Sequence, residues 1–406
     1  MRILPIASGK GGVGKTTFAL NLALSLAKTR QTVLMDLDTG TSSLRNFLDV
    51  PVNKDLFHFL KKGSPLQECR QTLPLTMDPD RAFANFSFIA SPRGFVHDIV
   101  NFSPETKNKL IQGINSLRAD YVIIDLKAGM DTNVLDFLPI SNSGIILFTP
   151  EMRAATMAAA EMAKAILFRM LNIMLAAPLV RDKFFPAGGQ PAPLFQRLLD
   201  FLQHDLDHEG KNLDDFINEA TAQFPQDNFI RVFRYYVENF KIYFVLNKFN
   251  SVAESVENTI KPLVENIFRD VSGKVSFHNL GWLVENDEIK NSSETGRPYL
   301  VGRHYKKKQA PEKSLASDAY LRAMCGLEKK QAPLAEKKKA LADELSSQID
   351  LLRMIYICNA GNDPETNLDF IAARIKEFSA SSNHQFGMKR IYSEQEFLER
   401  FQARIV

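Results

Sequence analysis

The chain has 406 residues, of which 45% are hydrophobic and 24% are charged, so it can bury a large core and is long enough for two domains. Its 50 basic and 47 acidic residues leave a net charge of +3, which is too balanced to indicate a nucleic-acid-binding protein from global charge. The three cysteines lie far apart without a CxxC pair, which argues against a cysteine metal site, an iron–sulfur cluster or a disulfide framework and predicts buried thiols.

The chain begins with a predicted strand, a glycine-rich loop and a helix. Residues 2–7 read as a short buried strand, and residues 16–28 carry a broad apolar face at helical spacing. The loop between them, residues 9–16, matches GxxxxGK[ST], and its position between a strand and a helix is what identifies a P-loop. Glycines let backbone N–H groups surround phosphate, and the helix N-terminus adds positive charge. The residues expected to bind the nucleotide here are Gly9, Lys10, Gly11, Gly12, Val13, Gly14, Lys15, Thr16 and Thr17.

Three side chains of this loop are expected to have separate tasks. Lys15 should reach the β- and γ-phosphates, and the Thr16 hydroxyl should bind Mg²⁺. Lys10 is a second lysine, which an ordinary phosphate loop does not need. The run KGGVGKT, which holds both lysines, resembles the deviant Walker A loop of the MinD/ParA family of ATPases, and most of all its MinD/FlhG-like members.

In that family two subunits enclose two ATP molecules face to face. The resemblance implies that Lys10 acts on the nucleotide of a partner subunit, in a role physically like that of an arginine finger, which contributes roughly 10³–10⁵ in rate. A surface lysine without this task is the alternative.

Two aspartates follow the next predicted strand, residues 32–35. Carboxylates at the carboxyl end of a parallel strand beside a P-loop can support Mg²⁺ or orient an attacking water. Asp36 and Asp38 are two positions apart, which would give them different environments and roles. The segment resembles the family's switch I, which implies that Asp38 aligns the hydrolytic water and that Asp36 supports the magnesium shell.

A further strand is predicted at residues 120–125 and ends in Asp125, which is the Walker B pattern. With the following residues it is similar to the family's DxxAG switch II. The resemblance implies an outer-sphere magnesium role for Asp125 and a contact between the Gly129 N–H and the γ-phosphate. The family usually has proline where this chain has Lys127, so switch II is expected to move differently or to meet a different partner.

Two more strands are predicted at residues 144–149 and 241–248, with a helix at residues 154–171 after the first of them. The second ends near Asn247, where the family recognises adenine, a task that suits an amide because it donates and accepts hydrogen bonds. Residues 280–287 and 295–298 look like the family's element that flanks the base, although its usual proline is replaced.

Strands alternating with helices predict an α/β fold with a doubly wound, mostly parallel sheet and a ligand at the carboxyl ends of its strands. The resemblance covers residues 1–175 and 240–305, which we expect to form the P-loop ATPase core. Residues 176–239 are predicted as a helical insertion, with irregular proline-rich chain first and then helices at residues 194–206, 213–224 and 229–240. Its aromatic side chains either pack the insertion on the core or form a docking face for a partner.

Residues 306–406 are predicted to be a basic linker followed by an α/β extension. The expected elements are helices at residues 316–327 and 335–352, a strand at residues 353–358, a turn at residues 359–364 and a helix at residues 366–378. The final residues, 393–406, place Phe397, Leu398, Phe401 and Ile405 on one helical face. Three glutamates against two arginines disfavour anionic headgroups, so we expect this helix to fold back on the body, with reversible membrane contact as the alternative.

The resemblance implies an ATPase that binds ATP and Mg²⁺, forms a homodimer with ATP, and meets an activating protein partner while it positions a structure such as the division site or flagella. One alternative is ParA-like DNA segregation through lysines near residues 306 and 337, and this would need non-specific nucleic-acid binding. Others are an iron–sulfur carrier or reductase and a nucleotide-loaded scaffold. No leader-type or membrane-spanning apolar run is found, so we expect a cytoplasmic protein with contact at most at the inner face of the membrane.

Overall fold

The computed structural model describes residues 1–38, 43–93, 102–138, 142–204, 211–307, 337–358, 363–381 and 386–406. Its centre is a seven-stranded sheet in the order β3-β2-β4-β1-β5-β6-β7, in which every neighbouring pair is parallel. The strands are β1 Arg2–Ala7, β2 Thr32–Leu37, β3 Phe86–Ile89, β4 Tyr121–Leu126, β5 Asn142–Phe148, β6 Lys241–Phe249 and β7 Ser276–Val284. The predicted parallel α/β fold is confirmed.

Helices surround this sheet. They are α1 Lys15–Ala27, α2 Ser43–Phe47, α3 Leu56–Lys62, α4 Pro104–Asn115, α5 Thr132–Leu135, α6 Arg153–Leu175, α7 Pro178–Phe184, α8 Pro193–His204, α9 Leu213–Gln223, α10 Asn228–Glu238, α11 Val252–Ser255, α12 Lys261–Asp270, α13 Asp287–Glu294, α14 Tyr299–Lys307, α15 Lys337–Cys358, α16 Pro364–Ala380 and α17 Glu394–Ile405. A 3₁₀ turn covers Leu66–Cys69, and a π turn, Val256–Ile260, joins α11 to α12.

The central strands are buried except for Arg2 at the start of β1, as expected for a parallel sheet that is covered on both faces. Ile6 of β1 pairs with Asp125 of β4 on one side and with Ile145 of β5 on the other. This register brings the ends of β1, β4 and β5 together at one edge. The P-loop, which follows β1, therefore starts beside the last residues of β4.

Sequence reasoning missed two strands, β3 and β7. Strand β3 has only four residues, too few to show a period. Strand β7 holds His278 and Asn279 and a register shift before Gly281, whose φ is 133°. These features interrupt the alternating pattern, so no strand was predicted in this segment.

The insertion is helical, as predicted, but it begins earlier. Residues 178–184 form α7 where irregular chain was expected, because Pro178 occupies the first helical position, where its missing N–H costs nothing. The rings of Phe184 and Phe195 stack at 3.8 Å, and Phe229 lies within 6 Å of both. Most of the insertion's aromatic rings are thus core, whereas Tyr235 remains 53% exposed.

The predicted strand at residues 353–358 is wrong, because α15 continues through it. Leu352 and Ile355 are fully buried while Arg353 and Tyr356 are exposed, which is a helical and not an alternating period. The extension is therefore helical where the α/β prediction required a strand. The predicted helix at residues 316–327, Lys308 and most of the predicted turn lie outside the described residues.

Helix α16 packs across both the P-loop helix α1 and the edge strand β7. Asp369 accepts hydrogen bonds from the Ser25 hydroxyl at 2.7 Å and from the Lys28 ammonium at 2.8 Å. Further on, Met388 and Ile3 exchange two backbone hydrogen bonds of 2.7 and 3.0 Å. The end of the chain is therefore bonded directly to the first strand and first helix of the core.

The final helix, α17, folds back onto the insertion, as expected. Phe397 and Phe401 are buried, and the Phe401 ring lies 6.1 Å from the ring of Phe229 on α10. The apolar face that could have met a membrane is thus covered by protein.

No single helix in the described part of the chain is long and apolar enough to cross a bilayer. The pair Arg153–Leu175 and Pro178–Phe184, bent by 74° at their junction, passes the same length and composition test together.

We predict that Phe401→Ala lowers the free energy of unfolding by about 3 kcal/mol, because it leaves a cavity against Phe229. Urea denaturation of the full chain measures this. Val406→Ala is the matched control, since that side chain is 90% exposed and its loss should change stability by less than about 0.5 kcal/mol. Equal effects of the two variants would show that α17 is not packed as described.

Candidate functional site

The glycine-rich loop runs from the end of β1 to the start of α1, and two of its glycines are required by close approach. A Cβ on Gly9 would lie 2.3 Å from the carbonyl oxygen of Ala158 on α6. Gly14 has φ 83°, and a Cβ there would lie 2.5 Å from the Asn247 amide nitrogen. The backbone of the loop is thus wedged between α6 and the end of β6.

One buried carboxylate organises the start of α1. Asp125, at the end of β4, accepts a hydrogen bond from the Lys15 ammonium at 2.5 Å and another from the Thr16 hydroxyl at 2.6 Å. All three side chains are buried. The Thr16 and Asp125 oxygens are ligands of the kind that Mg²⁺ prefers, and they lie side by side, so the residues fit a magnesium ion.

Asp36 holds the start of switch I in place. Its carboxylate accepts hydrogen bonds from the Asp38 N–H at 2.9 Å, the Leu44 N–H at 3.1 Å and the Ser91 hydroxyl at 3.0 Å. Complete burial, and next the negative charge of Asp125, raise the pKa of Asp36 to about 7. Sequence reasoning missed this role because Ser91 follows β3, a strand that was not predicted.

The other expected carboxylate, Asp38, follows β2 and is partly buried. The next residues, 39–42, lie outside the described part of the chain. Its backbone position is set by Asp36 through the hydrogen bond given above.

Switch II is bonded to the P-loop. The Gly129 N–H donates to the Ser8 carbonyl at 3.0 Å. The φ angle of Gly129 is 115°, a conformation that favours glycine. The Lys127 ammonium lies 3.8 Å from the Asp131 carboxylate, and both side chains are about half exposed. Asp131 also caps α5 by accepting from the Val134 N–H. Lys127, where the family usually has proline, therefore touches the residue that starts the helix after switch II.

Asn247 is buried at the carboxyl end of β6 and donates from its amide to the Val13 carbonyl at 2.7 Å. The amide thus supports the phosphate loop, and its contact with a base remains a prediction. The first part of the expected partner element is brought beside it, because Leu283 of β7 pairs with Asn247 of β6, whereas residues 295–298 lie elsewhere. Gly296 lies against Asp49, and Arg297 donates to the Met77 carbonyl, both on the β2–β3 half of the molecule.

Lys10 lies at the mouth of the loop beside the exposed Gly11 and Gly12. Within the described residues no hydrogen bond or ion pair engages its ammonium group.

Two buried hydroxyls beside the loop were not singled out from the sequence. Ser8 follows β1 and Thr149 follows the neighbouring β5, and neither side-chain oxygen has a hydrogen-bond partner within the described part of the protein. A local sequence pattern does not reveal such groups, because only the pairing of the strands brings them to one edge of the sheet.

Cys69 is buried, as expected, and burial together with the charge of Asp55 raises its pKa to about 11. A protonated thiol is a poor metal ligand. Cys325 lies outside the described residues.

Comparison with known proteins gives one family. A family model described as the CobQ/CobB/MinD/ParA nucleotide binding domain matches residues 4–299. The septum site-determining protein MinD of Helicobacter pylori is 30% identical over 155 residues, which cover 37% of this chain and 53% of the relative. The flagellum site-determining protein YlxH of the same organism is 32% identical over 159 residues, 38% of this chain and 50% of the relative. The chain spans about half the length of the curated relatives it matches.

Solved structures resemble the chain at lower identity. The septum site-determining protein MinD of Pyrococcus horikoshii, complexed with Mg-ADP, aligns with a TM-score of 0.42 and 16% identity over 74% of this chain and 87% of its own. A ParA family ATPase from Chlorobium tepidum aligns with a TM-score of 0.41 and 16% identity over 86% of this chain and 98% of its own.

We predict that Gly9→Ala lowers the free energy of unfolding of the nucleotide-free protein by about 1–3 kcal/mol, because its Cβ would overlap the backbone of α6. The control is Gly11→Ala, where a Cβ meets nothing within 4 Å. Urea denaturation compares the two variants. If Gly11→Ala proved as destabilising as Gly9→Ala, the packing of the loop on α6 would be wrong.

We predict a pH-dependent effect of Asp36→Asn in protein free of nucleotide and Mg²⁺. The folded pKa of about 7 exceeds the unfolded value, so the folded state binds the proton more tightly, and wild-type stability falls as pH rises from about 4 to 7. Asp36→Asn removes this pH-dependent contribution to the free energy of unfolding. Its unfolding free energy relative to wild type should therefore rise by about 2 kcal/mol between pH 5 and pH 8. A flat difference across that range would contradict the burial argument.

Proposed function

The chain belongs to the CobQ/CobB/MinD/ParA nucleotide-binding family, and we propose that it is an ATP-dependent dimerisation switch that binds and hydrolyses ATP with Mg²⁺. The single observation that carries this proposal is the buried contact of Asp125 with both Lys15 and Thr16, directly behind the glycine loop. An ammonium group, a hydroxyl and a carboxylate side by side at the start of a helix are the groups that a triphosphate and its cation use, which supports the proposal.

Nucleotide binding exchanges the partners of Lys15. The ammonium leaves Asp125 for the β- and γ-phosphate oxygens, which the loop's N–H groups also surround. Thr16 and Asp125 would hold Mg²⁺, which would supply positive charge to the phosphates. Asp125 thus keeps a positive neighbour in both states, which a buried carboxylate requires.

Asp38 positions the attacking water in this proposal. Positioning and electrostatic stabilisation account for most of phosphoryl-transfer catalysis, so a small displacement of the carboxylate would slow the reaction. Asp36 restricts such displacement by holding the Asp38 and Leu44 N–H groups. Asp36 is thus a positioning residue. Its hydrogen bonds account for its burial, so the magnesium-shell role expected from the resemblance is not required to explain it.

Lys10 acts on the nucleotide of a second copy. Lys10 precedes the exposed Gly11 and Gly12, and none of the described residues engages its ammonium group, so a twofold assembly across this face would bring it to the partner's phosphates. There it would stabilise negative charge as it develops. The Gly129 N–H would reach the γ-phosphate once it releases the Ser8 carbonyl.

The cellular role is proposed from the relatives, whose names describe the siting of septa and flagella. We propose that this chain likewise positions a cellular structure from the cytoplasm, and that a protein partner accelerates hydrolysis. Residues 1–175 and 240–305 would form the ATPase core, with 176–239 as an insertion and 306–406 as an extension. Membrane contact through α17 would first require Phe397 and Phe401 to leave their packing.

We predict that Lys10→Ala abolishes ATP-dependent dimerisation and slows hydrolysis roughly 10³-fold, while nucleotide binding persists because Lys15 remains. Light scattering measures dimerisation, phosphate release measures hydrolysis, and fluorescent-nucleotide titration measures nucleotide binding. Lys211→Ala, an exposed lysine of the insertion, is the matched control and should behave as wild type.

Mixing variants tests action between subunits. Lys10→Ala and Asp38→Ala are each inactive alone, but a mixed dimer has one complete site. Equal amounts should recover part of wild-type turnover, at most about one half, because each mixed dimer has one complete site of two and Lys10→Ala forms no dimers with itself. Wild-type turnover by Lys10→Ala alone, or no recovery on mixing, would reject the proposed role of Lys10.

A further inference from the structure

A cavity of about 460 Å³ lies where the insertion and α17 meet the end of α6. This volume falls within the range of small-molecule sites, roughly 300–1,000 Å³. The cavity is lined by α6 from Arg169 onward, whereas the P-loop touches α6 at Ala158. At 1.5 Å per residue, the separation from Ala158 to Ile173 along the helix is about 22 Å. The cavity is therefore distinct from the nucleotide site.

The cavity has an apolar body and a basic rim. Ile173, Leu199 and Phe185 contribute apolar surface, from α6, α8 and the end of α7. Arg169 and Arg181 line it as well, together with one carboxylate, that of Glu394. Two guanidinium groups against one carboxylate give the lining a net positive charge.

The two arginines differ in how they are engaged. Arg169 contacts Asp136 at 3.1 Å and Glu394 at 2.7 Å, so two carboxylates already neutralise it. The Arg181 guanidinium has no hydrogen bond or ion pair with any residue that the structure describes. The excess positive charge is therefore concentrated at Arg181.

We propose that this cavity binds a small amphipathic anion. Its anionic group lies at Arg181, and its apolar body packs against Ile173 and Leu199. The positive charge and the apolar lining each select one part of this ligand. The site is independent of the proposed ATPase activity.

The probe is 8-anilinonaphthalene-1-sulfonate, which combines an aromatic body, a sulfonate and one N–H group. Fluorescence titration of the full chain should give saturable binding of one probe per chain, displaced by dodecanoate. Arg181→Gln should weaken binding about tenfold, as expected for the loss of a charge-assisted hydrogen bond. Arg231→Gln, an exposed arginine outside the lining, should leave it unchanged.

Ile173→Trp fills the cavity and should abolish saturable binding, with Leu199→Phe as a second filling variant if the first does not fold. The uncharged N-phenyl-1-naphthylamine should bind more weakly than the sulfonate and be insensitive to Arg181→Gln. The proposal is overturned if wild type shows no saturable binding. It is also overturned if folded filling variants bind the sulfonate as wild type does, or if Arg181→Gln behaves like Arg231→Gln.

Discussion

The structure depends on one buried carboxylate, that of Asp125, which lies at the end of a central strand and must have positive or donating neighbours. Lys15 and Thr16 provide them from the first turn of α1. This requirement fixes where the P-loop helix starts relative to β4. In the proposed function the same lysine and hydroxyl would bind phosphate and magnesium, so the contacts that stabilise the fold would also prepare the site for its ligand.

The loop around this carboxylate is held from three sides by groups far apart in the sequence. Asn247 of β6 bonds its backbone, Ala158 of α6 leaves no room for a side chain on Gly9, and Ser8 binds switch II through Gly129. On the switch I side, Asp36 holds the backbone of Asp38 by accepting a hydrogen bond from its N–H. The shape of the site is therefore set by the sheet and α6 together, and only its chemistry resides in the loop.

The sequence predicted the features that local pattern determines. The strand, glycine loop and helix around Lys15 and the carboxylate at Asp125 are visible from a few adjacent residues, and the structure has them in place. The holding role of Asp36 was not predictable, because it depends on a residue after the four-residue strand β3. The helix through residues 353–358 was missed because Met354, Ile355 and Tyr356 have strand-like composition, and only packing on the core decides between the two conformations.

Arg169 joins three segments that lie far apart along the chain. Its guanidinium contacts Asp136, just beyond the helix that follows switch II, and Glu394, the first residue of the terminal helix. Because both carboxylates share one cation, rearrangement of either contact changes the electrostatic free energy of the other. The seating of the last helix and the conformation beyond switch II are consequently thermodynamically linked, and such linkage is reciprocal.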